Sequence, residues 1–275
     1  MKFFDFLKPK VALILHKKKV GLALGGGAAR GLCHIGVIKV LEKHKVPIDF
    51  IAGTSMGALI GAVYAAGISV EEMERLAANT GWGKLLQLTL HAHGTFSGKG
   101  FFRFVENRIG KDKFFSDLKI PLRIVTTDLK SGKPFIFDDG LVATAVQAST
   151  TFPGAFVPLA HRGKLLVDGG IVNNVPTSVV REMGANFVIA VDAVPDFEMV
   201  EDPKNVLQVV GRTVDLLLKK VSEEGRQTAD VLIQPEFDED MWHLDLHKAK
   251  HLIQEGETAA NKMIDEIVHR LHIKE

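Results

Sequence analysis

Two stretches decide the fold: VGLALGGGAARG at residues 20–31 and IAGTSMGA at residues 51–58. Each begins as a short apolar strand and passes through glycine into small and apolar residues that are typical of a helix. A strand that turns through glycines into a helix exposes backbone N–H groups at the helix N-terminus, where the helix dipole favours negative charge. The first stretch therefore predicts an anion-binding loop at the end of a buried strand.

The second stretch carries Gly53, Ser55 and Gly57 in the pattern Gly-x-Ser-x-Gly. This pattern is typical of a nucleophile elbow, a sharp strand-to-helix turn that lifts a serine hydroxyl to the edge of a sheet. The small residues after the serine let the helix approach the sheet closely. We therefore predict that Ser55 is the nucleophile of a serine hydrolase, with Gly53 and Gly57 supporting the turn.

An oxyanion hole is predicted from the same two turns, because a serine nucleophile needs donors for the negative charge that develops on the substrate oxygen. Gly25, Gly26 and Gly27 offer consecutive N–H groups that no side chain obstructs. The N–H of Met56, directly after the nucleophile, is a further candidate. Arg30 is expected either to hold the glycine loop by hydrogen bonds to carbonyl groups or to bind a phosphate.

Composition points to an α/β protein and against a nucleic-acid binder. The 275 residues are 46% hydrophobic but only 7% aromatic, which fits helices packed on a parallel sheet. The formal net charge is +1, without the basic excess of a nucleic-acid-binding domain. The single cysteine, Cys33, excludes internal disulfide bonds, fits a reducing cytoplasm and is expected to be buried on a helix.

Residues 1–19 are predicted to form an extension ahead of one hydrolase domain over residues 20–275. They are apolar and basic, with Phe3, Phe4 and Phe6 near the start and a short apolar run over residues 11–15. That run is shorter than a signal-peptide core of about 7–15 residues or a membrane span of about 20 residues. An extension or edge strand is expected; the alternative is a weak contact with a membrane surface.

Strands and helices are predicted to alternate along the chain as in a single α/β domain, without internal repeats or linkers. A hairpin is predicted where residues 130–133, KSGK, join two strands. The predicted strands span residues 20–24, 49–52, 121–127, 134–137, 164–167, 187–191 and 230–233. The predicted helices follow the glycine loop to about residue 45, follow the elbow, and span about residues 70–79, 100–109, 141–148, 204–221 and 246–271.

Residues 82–96 lack a clean helical or strand period, because apolar residues alternate there with glycine, histidine and threonine. Two interpretations stay open: a lid or lipid-access wall beside the active site, or a loop that covers the core. His91 and His93 have the spacing of metal ligands, but nothing near them completes a site. No metal is predicted.

Two residues are candidates for the catalytic base. Hydrolase triads usually follow the order serine, acid, histidine, and His243 is the best placed of the histidines after Ser55. Asp168 stands where a predicted strand ends in Gly169-Gly170. We expect that turn to present an exposed carboxylate that approaches another loop closely.

Three ordered motifs resemble those of the patatin-like phospholipases: GGGAARG at residues 25–31, GTSMG at 53–57 and DGG at 168–170. HIGV at residues 34–37 and ASTTFPG at 148–154 add to the likeness. The bacterial branch, related to the catalytic domain of neuropathy target esterase, is the most similar. The resemblance runs from about residue 20 to residue 192, and the C-terminal region is less distinctive.

The resemblance implies a Ser55–Asp168 dyad without a catalytic histidine, in which Asp168 is the direct base. It implies that the glycine loop binds the oxyanion and that Gly169 and Gly170 support the aspartate. It also implies a three-layer α/β/α fold with a mainly parallel sheet, no cofactor, and phospholipid or lysophospholipid substrates. The expected location is the cytoplasm, with peripheral contact at the inner face of the membrane as an option and no nucleic-acid partner.

The sequence leaves other functions open. Gly25, Gly27 and Gly31 also fit a dinucleotide-binding loop, but the second strand ends in Gly-Thr-Ser rather than the acidic residue that fold requires. A non-catalytic lipid-binding or regulatory protein would retain lipid binding without Ser55. An acyltransferase would use the same acyl-enzyme and pass the acyl group to an alcohol instead of water.

Overall fold

An eight-stranded central sheet organises the part of the chain that the computed structural model describes, residues 18–81, 85, 87–91, 94–194, 196, 202, 206–237 and 246–273. The order across the sheet is β10-β9-β1-β2-β5-β8-β7, and β6 pairs with β5. The strands are β1 (Val20–Leu24), β2 (Phe50–Thr54), β3 (Gln87–His91), β4 (Gly94–Ser97), β5 (Leu122–Asp128), β6 (Lys133–Phe137), β7 (Leu159–His161), β8 (Lys164–Asp168), β9 (Phe187–Val191) and β10 (Val231–Ile233).

The sheet is mainly parallel, as predicted. β10, β9, β1, β2 and β5 are parallel neighbours, while β6, β7 and β8 pair in antiparallel fashion. The predicted β5–β6 hairpin is confirmed. β7 was not predicted; it is joined to β8 through Arg162 and Gly163, both at positive φ, a turn that suits an antiparallel pair.

Helices cover both faces of the sheet. Alternate residues of β1 and β9 belong to two separate apolar clusters, one on each face, which confirms the predicted α/β/α layering. The helices are α1 (Cys33–Lys43), α2 (Met56–Ala65), α3 (Val70–Asn79), α4 (Lys99–Ile109), α5 (Val142–Ser149), α6 (Thr177–Glu182), α7 (Val206–Thr228) and α8 (Ala249–Leu271). α7 extends seven residues past its predicted end.

Cys33 is buried at the start of α1, and burial raises the pKa of its thiol far above the usual range. The thiol therefore stays protonated and behaves as a small apolar core residue.

Several predicted features lie outside the described residues. These are residues 1–17 with Phe3, Phe4 and Phe6, the histidine His243, and parts of residues 82–96. Within that last segment, β3 and β4 form a separate antiparallel pair that the sequence pattern did not predict. Among the helices of the described ranges, none combines the length and the apolar character needed to cross a bilayer.

Candidate active site

The sheet brings Ser55 and Asp168 together at one edge of β5. Thr54, the last residue of β2, lies opposite Val125 of β5, and Asp168, the last residue of β8, lies opposite Thr126. β6 pairs with β5 over residues that overlap both contacts, so it occupies the other edge. β2 and β8 therefore share one edge of β5, run in opposite directions, and end against each other.

Ser55 is held in a rare backbone conformation between β2 and α2. Its φ of 55° and ψ of −122° are costly for a residue with a side chain, by about 1–3 kcal/mol, and such strain concentrates at functional sites. The Ser55 N–H donates to Ser149 Oγ at 2.8 Å, and Ser149 Oγ donates to the Val125 carbonyl at 2.7 Å. A buried serine thus ties the elbow to the neighbouring strand.

Gly57 lets the elbow helix approach the end of β1. A Cβ atom at this position would lie 2.6 Å from the Gly25 carbonyl oxygen and would also clash with the Leu24 carbonyl. Both are backbone atoms that a small shift of a side chain cannot relieve. Gly53 lies in β2, one residue before its end, where the elbow begins.

Asp168 is buried, which corrects the expectation of an exposed carboxylate. Only 6% of its surface is accessible, because β8 continues directly into a 3₁₀ turn, Gly169–Ile171, that packs on β5 and α7. The Gly170 N–H donates to Asp168 Oδ1 at 2.8 Å, and the Ser55 side chain lies beside the same carboxyl group.

The buried carboxyl group is poised to titrate near neutral pH. Burial raises the pKa of Asp168 to about 6, although the Ser55 side chain and the Gly170 N–H act in the opposite direction. Both groups favour the ionised form, and because the pKa lies below 7 the carboxylate is available as a base at pH 7. The Thr127 hydroxyl fixes the main chain here by donating to the Asp168 carbonyl at 2.8 Å.

The glycine loop runs beside the nucleophile, but its three N–H groups are not equivalent. The Gly25 N–H donates to the Val191 carbonyl at 2.9 Å, because this residue continues the hydrogen bonding between β1 and β9. This bond corrects the prediction that Gly25 is an open oxyanion donor. The Gly26 N–H is shared between the main-chain and side-chain oxygens of Asn174, at 3.3 and 3.2 Å.

Gly27 is the open position of the loop. Within the described residues its N–H has no acceptor, and the same holds for the N–H of Met56 at the start of α2. Gly26 lies close to the elbow, since a Cβ atom there would come within 3.2 Å of Ser55 Cβ. An oxyanion beside Ser55 can therefore meet donors from both predicted turns.

Arg30 does not face a ligand. Its side chain is almost fully buried and forms an ion pair with Asp215 of α7, with Nη1 3.3 Å from Asp215 Oδ2 and a second contact from Nη2 to Oδ1. The proposal that Arg30 binds a phosphate is therefore wrong, because the guanidinium is buried and paired. Arg30 instead fastens the residues after the glycine loop to α7.

Two residues that support the loop were missed by sequence reasoning. Fully buried Asn174 accepts from Gly26 and donates through Nδ2 to Ser222 Oγ at 3.0 Å. His34 donates from Nε2 to the Gly25 carbonyl at 2.7 Å, and burial lowers its pKa to about 4, so the ring is neutral at pH 7. Only its place in the HIGV motif hinted at this role.

No histidine among the described residues hydrogen bonds to Ser55 or to the Asp168 carboxyl group. His243, the alternative base, lies outside the described ranges. In the same described part of the chain, no three His, Cys, Asp or Glu side chains converge in a way that suits a metal ion.

Sequence comparisons find relatives among the patatin-like phospholipases and lysophospholipases. Patatin-like phospholipase domain-containing protein 6 of Homo sapiens is 39% identical over 193 residues, which cover 66% of this chain and 14% of that protein. Lysophospholipase NTE1 of Debaryomyces hansenii is 34% identical over 194 residues, covering 68% of this chain and 12% of that protein. The chain thus spans only a small part of the length of these relatives.

The crystal structure of VipD from Legionella pneumophila shares the fold, with a TM-score of 0.62 and 15% sequence identity over 91% of this chain and 67% of that one. The patatin-like phospholipase family pattern matches residues 22–181, a stretch that contains the glycine loop, the elbow and Asp168. Because this match covers more than half of the 275 residues, the chain belongs to the patatin-like phospholipase family.

Proposed function

We propose that this chain is a serine acyl hydrolase that cleaves carboxylic esters of phospholipids or lysophospholipids with a Ser55–Asp168 dyad. One observation carries the proposal. The strained serine lies beside a buried carboxyl group whose pKa is raised by burial to about 6. A general base works best when its pKa lies near the working pH.

In the first half of the reaction, Ser55 Oγ attacks the ester carbonyl carbon while its proton passes to Asp168. The carbonyl oxygen becomes an oxyanion, which we assign to the N–H groups of Gly27 and Met56, with Gly26 joining if it releases Asn174. When the tetrahedral intermediate collapses, protonated Asp168 gives its proton to the departing alcohol oxygen. The product is an acyl-enzyme on Ser55 and a free alcohol.

In the second half, water replaces the alcohol. Asp168, again ionised, takes a proton from the water molecule as its oxygen attacks the acyl carbon. Collapse of the second intermediate returns that proton to Ser55 Oγ and releases the carboxylic acid. Each donor in an oxyanion hole typically contributes about 100–1,000-fold to the rate, so the loop carries much of the catalysis.

The lipid substrate class rests on the relatives. One is named a patatin-like phospholipase domain protein and another a lysophospholipase, and both are at least 34% identical to this chain over about 190 residues. Three ordered motifs shared with that family support the same substrate class. We further propose that residues 20–275 act as one hydrolase domain, with residues 1–19 as an extension, located in the cytoplasm and in peripheral contact with the membrane.

Release of fatty acid from lysophosphatidylcholine and hydrolysis of a short acyl ester test this function. We expect turnover by the wild type. Ser55→Ala and Asp168→Asn should each lower kcat at least about 1,000-fold, because a nucleophile and its base act together in one step. Exposed residues supply the controls, Ser116→Ala and Asp139→Asn, which should retain full activity. Turnover that survives both dyad changes would rule out the proposed mechanism.

The same assay separates the two alternatives. Adding glycerol or a short alcohol as acceptor yields a new ester if acyl transfer competes with hydrolysis. A non-catalytic lipid-binding protein would release no fatty acid at all, yet would bind lipid equally well with and without Ser55.

A further inference from the structure

Helix α7 carries a stripe of apolar side chains that the described part of the chain leaves exposed. Val209, Val210, Leu216 and Leu217 are 51%, 50%, 52% and 62% exposed. Their spacing places them on one face of the helix, since residues seven apart lie close to the same angular position. Single exposed apolar residues are common, but several on one helix face mark an interaction surface.

The opposite side of α7 is fixed to the active-site end of the sheet. Asp215 forms the buried ion pair with Arg30, and Leu218 lies against Gly170, next to Asp168. One turn further, Ser222 accepts the hydrogen bond from Asn174. The apolar stripe therefore points away from the protein while the helix lies beside the dyad and its glycine loop.

Two more exposed apolar residues flank the dyad. Ile171, 45% exposed, ends the 3₁₀ turn that holds Asp168 and packs on α7. Phe152, 37% exposed, follows Thr151, whose carbonyl accepts the Asp168 N–H at 2.9 Å. In the described part of the chain, six of the eight large apolar side chains that are exposed thus belong to α7 or to the segments that hold Asp168.

The charges on this part of α7 suit an anionic surface. Arg212, Lys219 and Lys220 lie among or directly beyond the apolar residues, and the acid between them, Asp215, is buried against Arg30. Lys219 and Lys220 also contact acidic side chains, Asp196 and Glu223, but remain 44% and 76% exposed. Lysines at the margin of an apolar helix face typically reach lipid head groups.

We infer that Val209, Val210, Leu216 and Leu217, together with Phe152 and Ile171, form a docking face for a phospholipid membrane. This inference rests on the proposed function, because lipid substrates reside in such a membrane and α7 joins the face to the turn that holds Asp168. A second copy of the chain is a poorer fit. A standard protein interface buries about 800 Å² on each partner, and six partly exposed side chains offer well short of that.

Sedimentation with vesicles tests the docking face. The protein carries Ser55→Ala so that lipid is not consumed, and the vesicles are phosphatidylcholine alone or mixed with phosphatidylglycerol. The test variant is Leu216→Ser with Leu217→Ser, and the matched control is Phe114→Ser. Phe114 is 47% exposed and lies near Phe50 and Leu122, where β2 and β5 begin, at the end of the sheet away from the dyad.

We expect the protein with an unchanged α7 to bind vesicles, and to bind more strongly when they contain phosphatidylglycerol. The double serine change should reduce partitioning roughly 20-fold, since each half-exposed leucine side chain contributes roughly a factor of five on entering lipid, and the Phe114 change should leave it unaltered. A protein that carries Leu216→Ser and Leu217→Ser but retains Ser55 should hydrolyse a short soluble ester at the wild-type rate. That rate would show that the double variant is folded.

Three results would overturn the docking face: no vesicle binding by the unsubstituted protein, equal binding after the double change, or a dimer that the double change converts to monomers. The last result would assign the stripe to a second copy of the chain. Because vesicle binding is measured without turnover, failure of the docking face and failure of the proposed hydrolase activity are read from separate assays.

Discussion

Thr54 and Asp168 lie opposite consecutive residues of β5 along the same edge of that strand. β2 approaches this point from one side as a parallel neighbour, and β8 approaches from the other side as an antiparallel one. Ser55 is the next residue after Thr54, so the register of two strand pairs alone brings the proposed nucleophile to the carboxyl group of the proposed base. A shift of one residue in the register of β2 or of β8 against β5 would turn Ser55 or Asp168 to the opposite face of the sheet.

Burial of Asp168 predicts a stability effect of definite sign. Its pKa is about 6 in the folded protein and 3.8 when unperturbed, so the folded state binds the proton more tightly. The resulting stabilisation is present below about pH 4 and is lost as pH rises through 6. An asparagine side chain carries no charge at any pH, so Asp168→Asn should gain about 3 kcal/mol relative to wild type between pH 4 and 7.

Chemical denaturation at the two pH values measures this difference. Asp139→Asn is the control, because Arg162 lowers the pKa of that exposed carboxyl group and reverses the sign. An equal offset between wild type and Asp168→Asn at both pH values would show that Asp168 is not held in a raised-pKa site.

Ser149 is predicted to position the nucleophile without touching the substrate. Ser149→Ala removes the acceptor of the Ser55 N–H and the donor to Val125. The two unpaired backbone groups should cost about 1–3 kcal/mol of unfolding free energy. We expect kcat for a short ester to fall about 10-fold or more with KM nearly unchanged, because the elbow shifts but the binding surface does not.

Steady-state kinetics of Ser149→Ala measure this role. Ser131→Ala, a change in the β5–β6 turn, is the control. Wild-type kcat in Ser149→Ala would mean that the strained elbow keeps its geometry without the serine.

Gly57→Ala should disrupt the active site through backbone contacts. The added Cβ would lie 2.6 Å from the Gly25 carbonyl oxygen, so α2 or the glycine loop must move. We expect a loss of about 1–3 kcal/mol in stability together with ester hydrolysis reduced at least about 100-fold, as expected when the oxyanion donors are displaced. Gly81→Ala is the matched control, since a Cβ there meets nothing within 4 Å.

The buried Arg30–Asp215 pair predicts strong non-additivity. Arg30→Met or Asp215→Leu alone removes one member of a buried ion pair and should cost about 3–5 kcal/mol. The double change removes both charges and should recover most of that loss. Denaturation of the four proteins gives the coupling energy. Exposed Arg75 and Glu72 serve as the reference pair, because water screens their interaction and little coupling is expected. Additive losses would show that the two side chains do not act as a unit.

Local signals were enough to predict the elements that position the site. The unbroken apolar run of β9 predicts that strand. The glycine patterns of the loop after β1 and of the elbow after β2 are typical of a strand that turns into a helix. The order of the strands does not follow from such signals. β8 ends beside β2 only because it pairs antiparallel with β5, and β7 is three residues long, too short for its alternation to stand out.

The errors concern contacts between residues far apart in the sequence. For Arg30 the sequence leaves two interpretations, a residue that holds the loop or one that binds a phosphate. Only the position of α7 shows that Asp215, 185 residues later, forms an ion pair with it. The sequence predicts a free Gly25 N–H, whereas in the structure this group donates to the Val191 carbonyl at the end of β9. The sequence predicts an exposed Asp168 because a Gly-Gly turn usually lies on the surface. In the structure this turn packs against α7 and the carboxyl group is buried.

The central claim is that Asp168 directly activates Ser55. The most direct test follows the rate of fluorophosphonate labelling with pH, maps the labelled peptide by mass spectrometry, and compares wild type with Asp168→Asn. We predict label on Ser55 alone, at a rate that rises with pH around an apparent pKa of about 6 and falls at least about 1,000-fold in Asp168→Asn. Labelling of Ser55 at the wild-type rate in Asp168→Asn would contradict the dyad and identify another residue as the base.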